Sequence, residues 1–241
     1  MRRIDFSFAS PAENLACDEV LSDRVEQMGD EQMLRFWESP THFVVVGVGQ
    51  VLRQEVREEA CAQDGVPVLR RCSAGGAVLQ GPGCLNFTLV LLRDACADLQ
   101  TIRSSYCHIL GRIAEALQAR GTPARHRGVS DLAVNGLKIS GNAQKRRRRS
   151  ILHHGTLLYA FDAALLDRYL FEPADQPAYR RGRPHAQFVM NLPLASSELK
   201  QMVCEAFGVS SPPEGLTGAE QQETRRLAAE KYLSPDWIYR R

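Results

Sequence analysis

Apolar residues along the chain switch between a period of two and a period near 3.6, and the switches mark out the elements. After Met1-Arg2-Arg3-Ile4-Asp5, alternation toward Phe6 and Phe8 predicts a first strand. Ser10-Pro11-Ala12-Glu13 has the form of a capping box with proline at the first helical position, and Cys17, Leu21, Val25 and Met28 follow at helical spacing. Met33 to Gly49 reads as two short strands, the second of which, Phe43-Val44-Val45-Val46, is β-branched and apolar enough for a sheet interior. Glu55 to Gln63 predicts a helix ended near Gly65, and Val66 to Arg71 a strand that delivers two arginines to a glycine-rich loop. Leu99, Ile102, Tyr106, Leu110, Ile113 and Leu117 mark a long amphipathic helix stopped by Gly121 and Pro123.

Asp131-Leu132-Ala133-Val134, then Asn135-Gly136, then Leu137-Lys138-Ile139-Ser140 predicts a hairpin, because Asn-Gly suits the positive φ angles of a type I′ turn. Alternation then sets Ala133 opposite Lys138 and Asp131 opposite Ser140, with all four on one polar face. Leu152 to Tyr159 predicts a strand, and Asp162 to Leu170 and Ser197 to Phe207 predict helices, the last closed by Gly208. Ser211-Pro212-Pro213 marks a boundary, and Thr217-Gly218-Ala219-Glu220 opens a final helix. No internal repeat is visible. Residues 1–210 are expected to form one α+β domain, a mixed, largely antiparallel sheet flanked by helices, with 211–241 as a helical tail.

Composition narrows the function classes. The 241 residues are long enough to bury an active site, and no apolar run is long enough to cross a membrane. The N-terminus lacks the apolar stretch of a signal peptide, so a cytoplasmic location is expected. Seven cysteines without a CxxC pair suggest neither a disulfide framework nor a zinc site. A net charge of +2 argues against a nucleic-acid partner.

Three segments carry unusual motifs. Arg70-Arg71-Cys72-Ser73-Ala74-Gly75-Gly76-Ala77-Val78 leads on to Cys84-Leu85-Asn86-Phe87; Asp131 to Ala143 contains Lys138-Ile139-Ser140-Gly141-Asn142; and His153-His154-Gly155-Thr156-Leu157-Leu158 follows. In this order they resemble the RRxSGGGAV…GNLNF, DLxVxGKKISGxA and HHGTLL signatures of the lipoate-protein ligase family. Weaker echoes, Asn14 to Glu19, Leu34 to Trp37 and Phe188 to Leu192, extend the similarity over about residues 3 to 209. The resemblance implies a fold similar to the biotin and lipoate ligase catalytic domain. It also implies ATP with Mg²⁺, lipoate as substrate, a lipoyl domain or other lipoate-acceptor protein as partner, and lipoyl-adenylate formation followed by transfer to an acceptor lysine. Binding roles then fall on Arg70, Arg71, Ser73, Gly75, Gly76, Ala77, Asn86, Asp131, Gly141, Asn142, His154, Gly155 and Thr156.

The chemistry of these residues agrees. Gly75 and Gly76 let backbone N–H groups approach an anion with no Cβ in the way. Arg70 and Arg71 face opposite sides, so one is expected at the phosphates, Arg71 by preference, and the other at a structural carboxylate. A carboxylate attacking the α-phosphate of ATP brings two anions together, and Lys138, on a strand past a tight turn, is the ammonium expected between them. Viewed bare, such a lysine is a solvated surface group; here Asp131 shares its face and either pairs with it or holds Mg²⁺. His153 and His154 point to opposite faces, which argues against joint metal ligation. Lys145 to Arg149 reads as a mobile basic loop, or as a patch steering an acidic acceptor.

Three positions depart from the family pattern: Ala74 replaces a glycine, Gln80 stands for a histidine and Cys84 for an asparagine. Gln80 bears on acyl-chain preference. An octanoyl or lipoyl transferase of the same fold is the rival reading and would need a nucleophilic thiol, here Cys72 or Cys84. Residues 125–130, where related transferases carry theirs, hold no cysteine. A non-catalytic lipoyl-binding protein is a third reading. Many family ligases carry an accessory C-terminal domain, so a separate accessory subunit is expected.

Overall fold

The computed structural model describes residues 1–241. In chain order, β1 (Arg2–Asp5), α1 (Pro11–Met28), β2 (Met33–Trp37), β3 (Phe43–Val46), α2 (Leu52–Glu55), α3 (Glu58–Gln63), β4 (Val68–Arg70), β5 (Val78–Gln80) and β6 (Cys84–Leu92) form the first half. The second half holds α4 (Ile102–Ala119), β7 (Ala124–Arg127), β8 (Asp131–Val134), β9 (Leu137–Arg146), β10 (Ser150–Leu158), α5 (Ala164–Tyr169), α6 (His185–Phe188), α7 (Ser196–Ala206), α8 (Gly218–Leu227) and α9 (Pro235–Ile238). A seven-stranded sheet runs β1-β2-β6-β10-β9-β8-β7 and is antiparallel except for the β1–β2 pair. A three-stranded sheet, β4-β3-β5, has one parallel and one antiparallel pair. The expected mixed, largely antiparallel α+β architecture is the one observed. No helix is long and apolar enough to cross a membrane.

Alternation along β6 decides which side carries chemistry. Leu85, Phe87, Leu89 and Leu91 join Ile109, Leu110, Ile113 and Leu117 of α4 and Leu199 and Met202 of α7 in an apolar core. The other face presents Asn86 and Thr88 between Cys84 and Val90, and on β10 it presents His154 and Thr156. Polar residues in the middle of a buried strand need partners, and α1 and the small sheet supply them from above.

Several local expectations are corrected. Ser10 makes no side-chain cap; Asn14 instead donates to Phe8 O and Ser10 O, tying down the helix entrance. Met28 and Ile102 lie at helix ends and are exposed. The predicted 55–63 helix is broken because Val56 leaves it, extended and buried, to bridge Leu170. The Asn135-Gly136 turn forms with φ of 51° and 77°, and Ala133 faces Lys138. Asp131, however, lies opposite Gly141, not Ser140, because a β-bulge passes over Ile139 and shifts the register by one.

The basic run is only partly a loop, Arg147 to Arg149, and most of its side chains are paired. Lys145 and Arg146 belong to β9; Lys145 pairs with Glu19, Arg146 donates to Leu99 O and Gln100 O, and Arg147 pairs with Asp23. Only Arg148 and Arg149 are exposed.

Residues 211–241 pack against α1 and the small sheet. Arg2 meets Glu220 at 2.6 Å, and a π-helical turn, Ala228–Tyr232, brings Lys231 and the fully buried Tyr232 to Glu19. Burial alone would raise the Glu19 carboxyl, but Lys145 and Lys231, each at 2.6 Å, bring it down to about 2. A depressed carboxylate pKa stabilises the fold above the ordinary value of 4.5 and ceases to do so as pH falls through about 2. Urea titrations between pH 7 and pH 2 should therefore show Glu19→Gln less stable at neutral pH and converging with wild type at low pH. A difference independent of pH would contradict the charge assignment.

Candidate active site

β3 and β5 lie over the polar face of the main sheet, and a cavity of about 140 Å³ opens between them. Its floor is one row of strand neighbours, Gly141, Thr156, Asn86 and Trp37, which pair in register from β9 to β2. Val45 and Val78 form the roof, and Leu15 and Asp18 of α1 close one side. A larger cavity of about 430 Å³ shares Gly76, Ala77, Lys138, Gly141 and Thr156 with it and continues toward Phe161, Phe171 and Phe188. Lys138 thus stands on the wall common to both.

The glycine-rich loop borders the smaller cavity. Gly75 has a φ of +95°, which disfavours any side chain there, and a Cβ at Gly47 would overlap the Gly75 carbonyl. Arg71 supports the loop from inside: Nε donates to Ser73 Oγ at 3.0 Å, and Nη2 donates to Ala74 O at 2.7 Å and Gly76 O at 2.9 Å. Burial lowers its pKa to about 10, so it stays charged, and carbonyl dipoles are its partners in place of a carboxylate. A buried cation so compensated attracts an anion.

Arg70 does not reach the cavity. It points the other way, fully buried, and donates to Gly47 O, Gln50 O and Ile238 O, while Trp237 Nε1 donates to its carbonyl. The expected parity holds, but the partners are carbonyls because β4 packs against the C-terminal segment, where chain ends and turns leave carbonyls unpaired. Arg70 is a clamp, and its expected binding role is corrected.

Lys138 Nζ lies 2.7 Å from Asp131 Oδ1, and Tyr179 OH donates to Asp131 Oδ2 at 2.8 Å. Gly141 leaves room for this lysine, since a Cβ there would come within 3.0 Å of Lys138 Cε and Nζ. The backbone is fixed as well: Met190 N donates to Lys138 O. Arg183 holds the neighbouring turn through Gly136 O.

The next row of the sheet is gathered by one carboxylate. Arg35, Thr88 and His154 are strand neighbours of β2, β6 and β10, and Asp18 of α1 meets all three, at 2.6, 2.8 and 3.5 Å. Burial alone would raise the Asp18 carboxyl, but Arg35 and His154 bring it below its ordinary value. His154 Nε2 lies 2.6 Å from Ser73 Oγ, so this row also braces the glycine-rich loop. His153 faces the opposite core, stacked near Phe87, and burial drives its pKa down to about 3. Asn142 donates to Ser130 O and Ser140 Oγ, and Gly155 is required beneath it, because a Cβ there would collide with Asn142 Oδ1.

Of the expected residues, Arg71, Gly75, Gly76, Ala77, Asn86, Lys138, Gly141, Asn142, His154, Gly155 and Thr156 come together around the smaller cavity, and Asp131 lines the larger. Ser73 sits behind the wall, holding Arg71 and His154. Asp18, Arg35, Trp37 and Tyr179 were not expected; two polar residues on the same face of an otherwise apolar β6 were the available signal that a polar partner such as Asp18 must exist. Cys72 and Cys84 are both buried, and burial pushes their thiols up to about 11 and about 12. Neither lines either cavity.

Asp18→Ala should leave Arg35 buried without its carboxylate and lower unfolding stability by about 3–5 kcal/mol in urea titration. A loss below about 1 kcal/mol would show that the Asp18 row is not a structural node.

The family model described as the lipoyl protein ligase A/B catalytic domain matches residues 10–207. The chain is 25% identical to an octanoyltransferase LipM of Exiguobacterium sp., covering 96% of this chain and 95% of that protein. It is 27% identical to lipoate–protein ligase 1 of Staphylococcus aureus, covering 98% and 72%. Among solved structures, a lipoate-protein ligase A bound with ATP superposes with a TM-score of 0.85 at 24% identity, covering 99% and 98%. A bi-partite lipoate protein ligase of Thermoplasma acidophilum, described with its E2 lipoyl domain, gives 0.84 at 24% identity, covering 99% and 95%. With the family match spanning most of the chain and the same fold in solved ligases, this protein belongs to the lipoyl protein ligase A/B catalytic-domain family.

Proposed function

We infer that this chain is an ATP-dependent lipoate-protein ligase. The observation that carries the reading is Lys138, an ammonium on the wall shared by two cavities, beside a glycine loop backed by a buried arginine without a carboxylate partner. The smaller, partly apolar cavity suits the acyl chain and the larger one the nucleotide. A carboxylate oxygen of lipoate attacks the α-phosphorus of ATP and pyrophosphate leaves; the acceptor amine then attacks the acyl carbonyl and AMP leaves. A free carboxylate is a poor acyl donor to an amine in water, which is why the first step is needed.

In this scheme Lys138 turns from Asp131 to the two reacting anions, neutralising their repulsion. Gly76, on the wall common to both cavities, and the Gly75-Gly76 loop backed by Arg71 hold the α-phosphate at the junction, Ala77 and Thr156 line it, and Asp131 orients Lys138 until substrate arrives. Asp131 Oδ1 is paired with Lys138 and Oδ2 accepts from Tyr179, so Asp131 would hold Mg²⁺ only once Lys138 turns away to the reacting anions. Bound there, the ion would supply charge neutralisation to the leaving pyrophosphate.

The similarity to octanoyltransferases supports the rival reading, acyl transfer from a thioester without ATP. Such transfer requires a thiolate, and Cys72 and Cys84 are buried, away from both cavities, with thiols that stay protonated at neutral pH. This supports the ligase. A non-catalytic lipoyl-binding role would give no reason for the Lys138–Asp131 pair at the junction. The likeness to the Thermoplasma ligase supports a lipoyl domain as acceptor and a separate accessory subunit as a second partner. Free cysteines throughout suit a reducing cytoplasm.

Lys138→Ala should lower pyrophosphate release from Mg-ATP and lipoate by at least about a hundredfold while leaving the thermal melt within a few degrees of wild type. Adenylation at the wild-type rate by that variant would overturn the assignment. Cys72→Ala and Cys84→Ala should each retain ATP-dependent lipoylation, whereas loss of all transfer in either folded variant would favour the thioester route.

A further inference from the structure

Between β6 and α4 the chain makes two 3₁₀ turns, Arg93–Ala95 and Ala97–Leu99, away from both cavities. Cys96 stands between them with an extended backbone, its thiol free and half-buried against the main apolar core. Cys96 Sγ, a carboxylate oxygen of Asp98 and a ring nitrogen of His108 on α4 all lie within 4.8 Å of one another. His108 Nδ1 is 3.2 Å from Asp98 Oδ2. A surface ion pair accounts for the last two residues and contributes little by itself; it gives no place to the thiol.

The backbone around these three groups is fixed. Leu99 N donates to Cys96 O and Gln100 N to Ala97 O, which sets the turn that carries Asp98. Arg146 reaches across from β9 and donates to Leu99 O and Gln100 O, at 2.8 and 2.9 Å. Thr101 and Ser104 then cap α4 reciprocally, and Ile109 and Leu110, fully buried, set the helix face on which His108 lies. Arg112, one turn further along α4, is drawn away to Ala206 O and the Phe207 ring, so Asp98 is the charged partner of the imidazole.

We propose that Cys96, Asp98 and His108 form a binding site for a divalent cation of the zinc class. A tetrahedral zinc ion with nitrogen and oxygen ligands at about 2.0–2.1 Å sets those atoms roughly 3.3 Å apart, close to the spacing already present between His108 and Asp98. A small rotation about Cα–Cβ of Cys96 brings its sulfur to the roughly 2.3 Å of a zinc–sulfur bond. Thiolate, imidazole and carboxylate select Zn²⁺ or Co²⁺ over the Mg²⁺ that accompanies ATP. The two anionic ligands balance the charge of the ion, the proton of the thiol passes to solvent on binding, and water takes the fourth position on the exposed side. Spacing of cysteines alone does not suggest such a site, because its ligands are one thiol and two groups brought to it by the packing of a turn on a helix. Bound there, the ion staples the turn after β6 to α4 and stabilises the folded chain by mass action. None of its ligands lines either cavity, so the site is independent of Lys138.

The test is calorimetric titration of the full chain with zinc chloride in excess Mg²⁺, repeated with Co²⁺ to read thiolate-to-cobalt charge-transfer absorption. Wild type should bind one equivalent, show the absorption and melt at a higher temperature with zinc than without. Cys96→Ser, Asp98→Asn and His108→Gln should each weaken binding by at least about a hundredfold, more than loss of an outer-shell partner costs, and remove the zinc-dependent rise in melting temperature. Melts without metal verify that the variants are folded, and Asp98→Asn, at an exposed position, serves if Cys96→Ser is not. Cys107→Ser, which removes the exposed thiol beside His108, should bind zinc as wild type does. No stoichiometric binding by wild type, or binding that is unchanged in folded His108→Gln and Asp98→Asn, overturns the inference; so does a cobalt absorption that is lost in Cys107→Ser and kept in Cys96→Ser.

Discussion

A one-residue bulge at Ile139 is the constraint on which the site depends. It advances the register of β9 so that Gly141, which has no side chain, lies opposite Asp131, and Lys138 can fold back over the vacated space to meet that carboxylate. Without it Ser140 would occupy that position, and its Cβ would compete with the lysine for the same volume. The bulged residue itself is fully buried in the core under α4, so packing pins the irregularity. A local deviation from strand geometry thereby places one ammonium group at the junction of two cavities, and the glycine loop, the arginine behind it and the cross-sheet floor are arranged around that point.

The polar face survives burial because its charges are collected at a few nodes. Asp18 holds Arg35, Thr88 and His154, and through His154 it touches Ser73 under the glycine loop; Glu19, one residue on, holds Lys145, Lys231 and Tyr232. Two successive carboxylates on one helix thus fasten α1 to the middle of the sheet and to the C-terminal segment. Arg70 completes the arrangement from the other side, fastening the strand before the loop to residues 238–241. The C-terminal segment therefore bears on the geometry of the loop without lining either cavity.

Features with local causes were legible in the sequence. The Asn135-Gly136 turn, the opposite facing of Arg70 and Arg71, and the split of His153 from His154 follow from backbone rules that act over two or three residues, and each is present. Features with distant causes were not. Regular alternation from the Ala133–Lys138 pair would set Ser140 opposite Asp131, and the bulge that sets Gly141 there instead goes with the burial of Ile139 in the core. The Lys145–Arg149 run looks solvated until Glu19 and Asp23, more than a hundred residues earlier, are brought beside it. Asp18 reads as an ordinary helix carboxylate because nothing nearby in sequence reveals Arg35 as its partner. The site residues were found mainly through motif resemblance, and the structure adds which of them touch the cavity and which hold others in place.

The ligase reading comes down to whether Lys138 exchanges Asp131 for the reacting anions. A crystal structure with a non-hydrolysable lipoyl-sulfamoyl adenosine tests this directly. The account predicts Lys138 Nζ within hydrogen-bonding distance of both the acyl carbonyl and the sulfamoyl oxygens, with the acyl chain lying over Thr156 and Asn86. Lys138 still paired with Asp131, and the analogue bound elsewhere or with its acyl chain outside the smaller cavity, would contradict it.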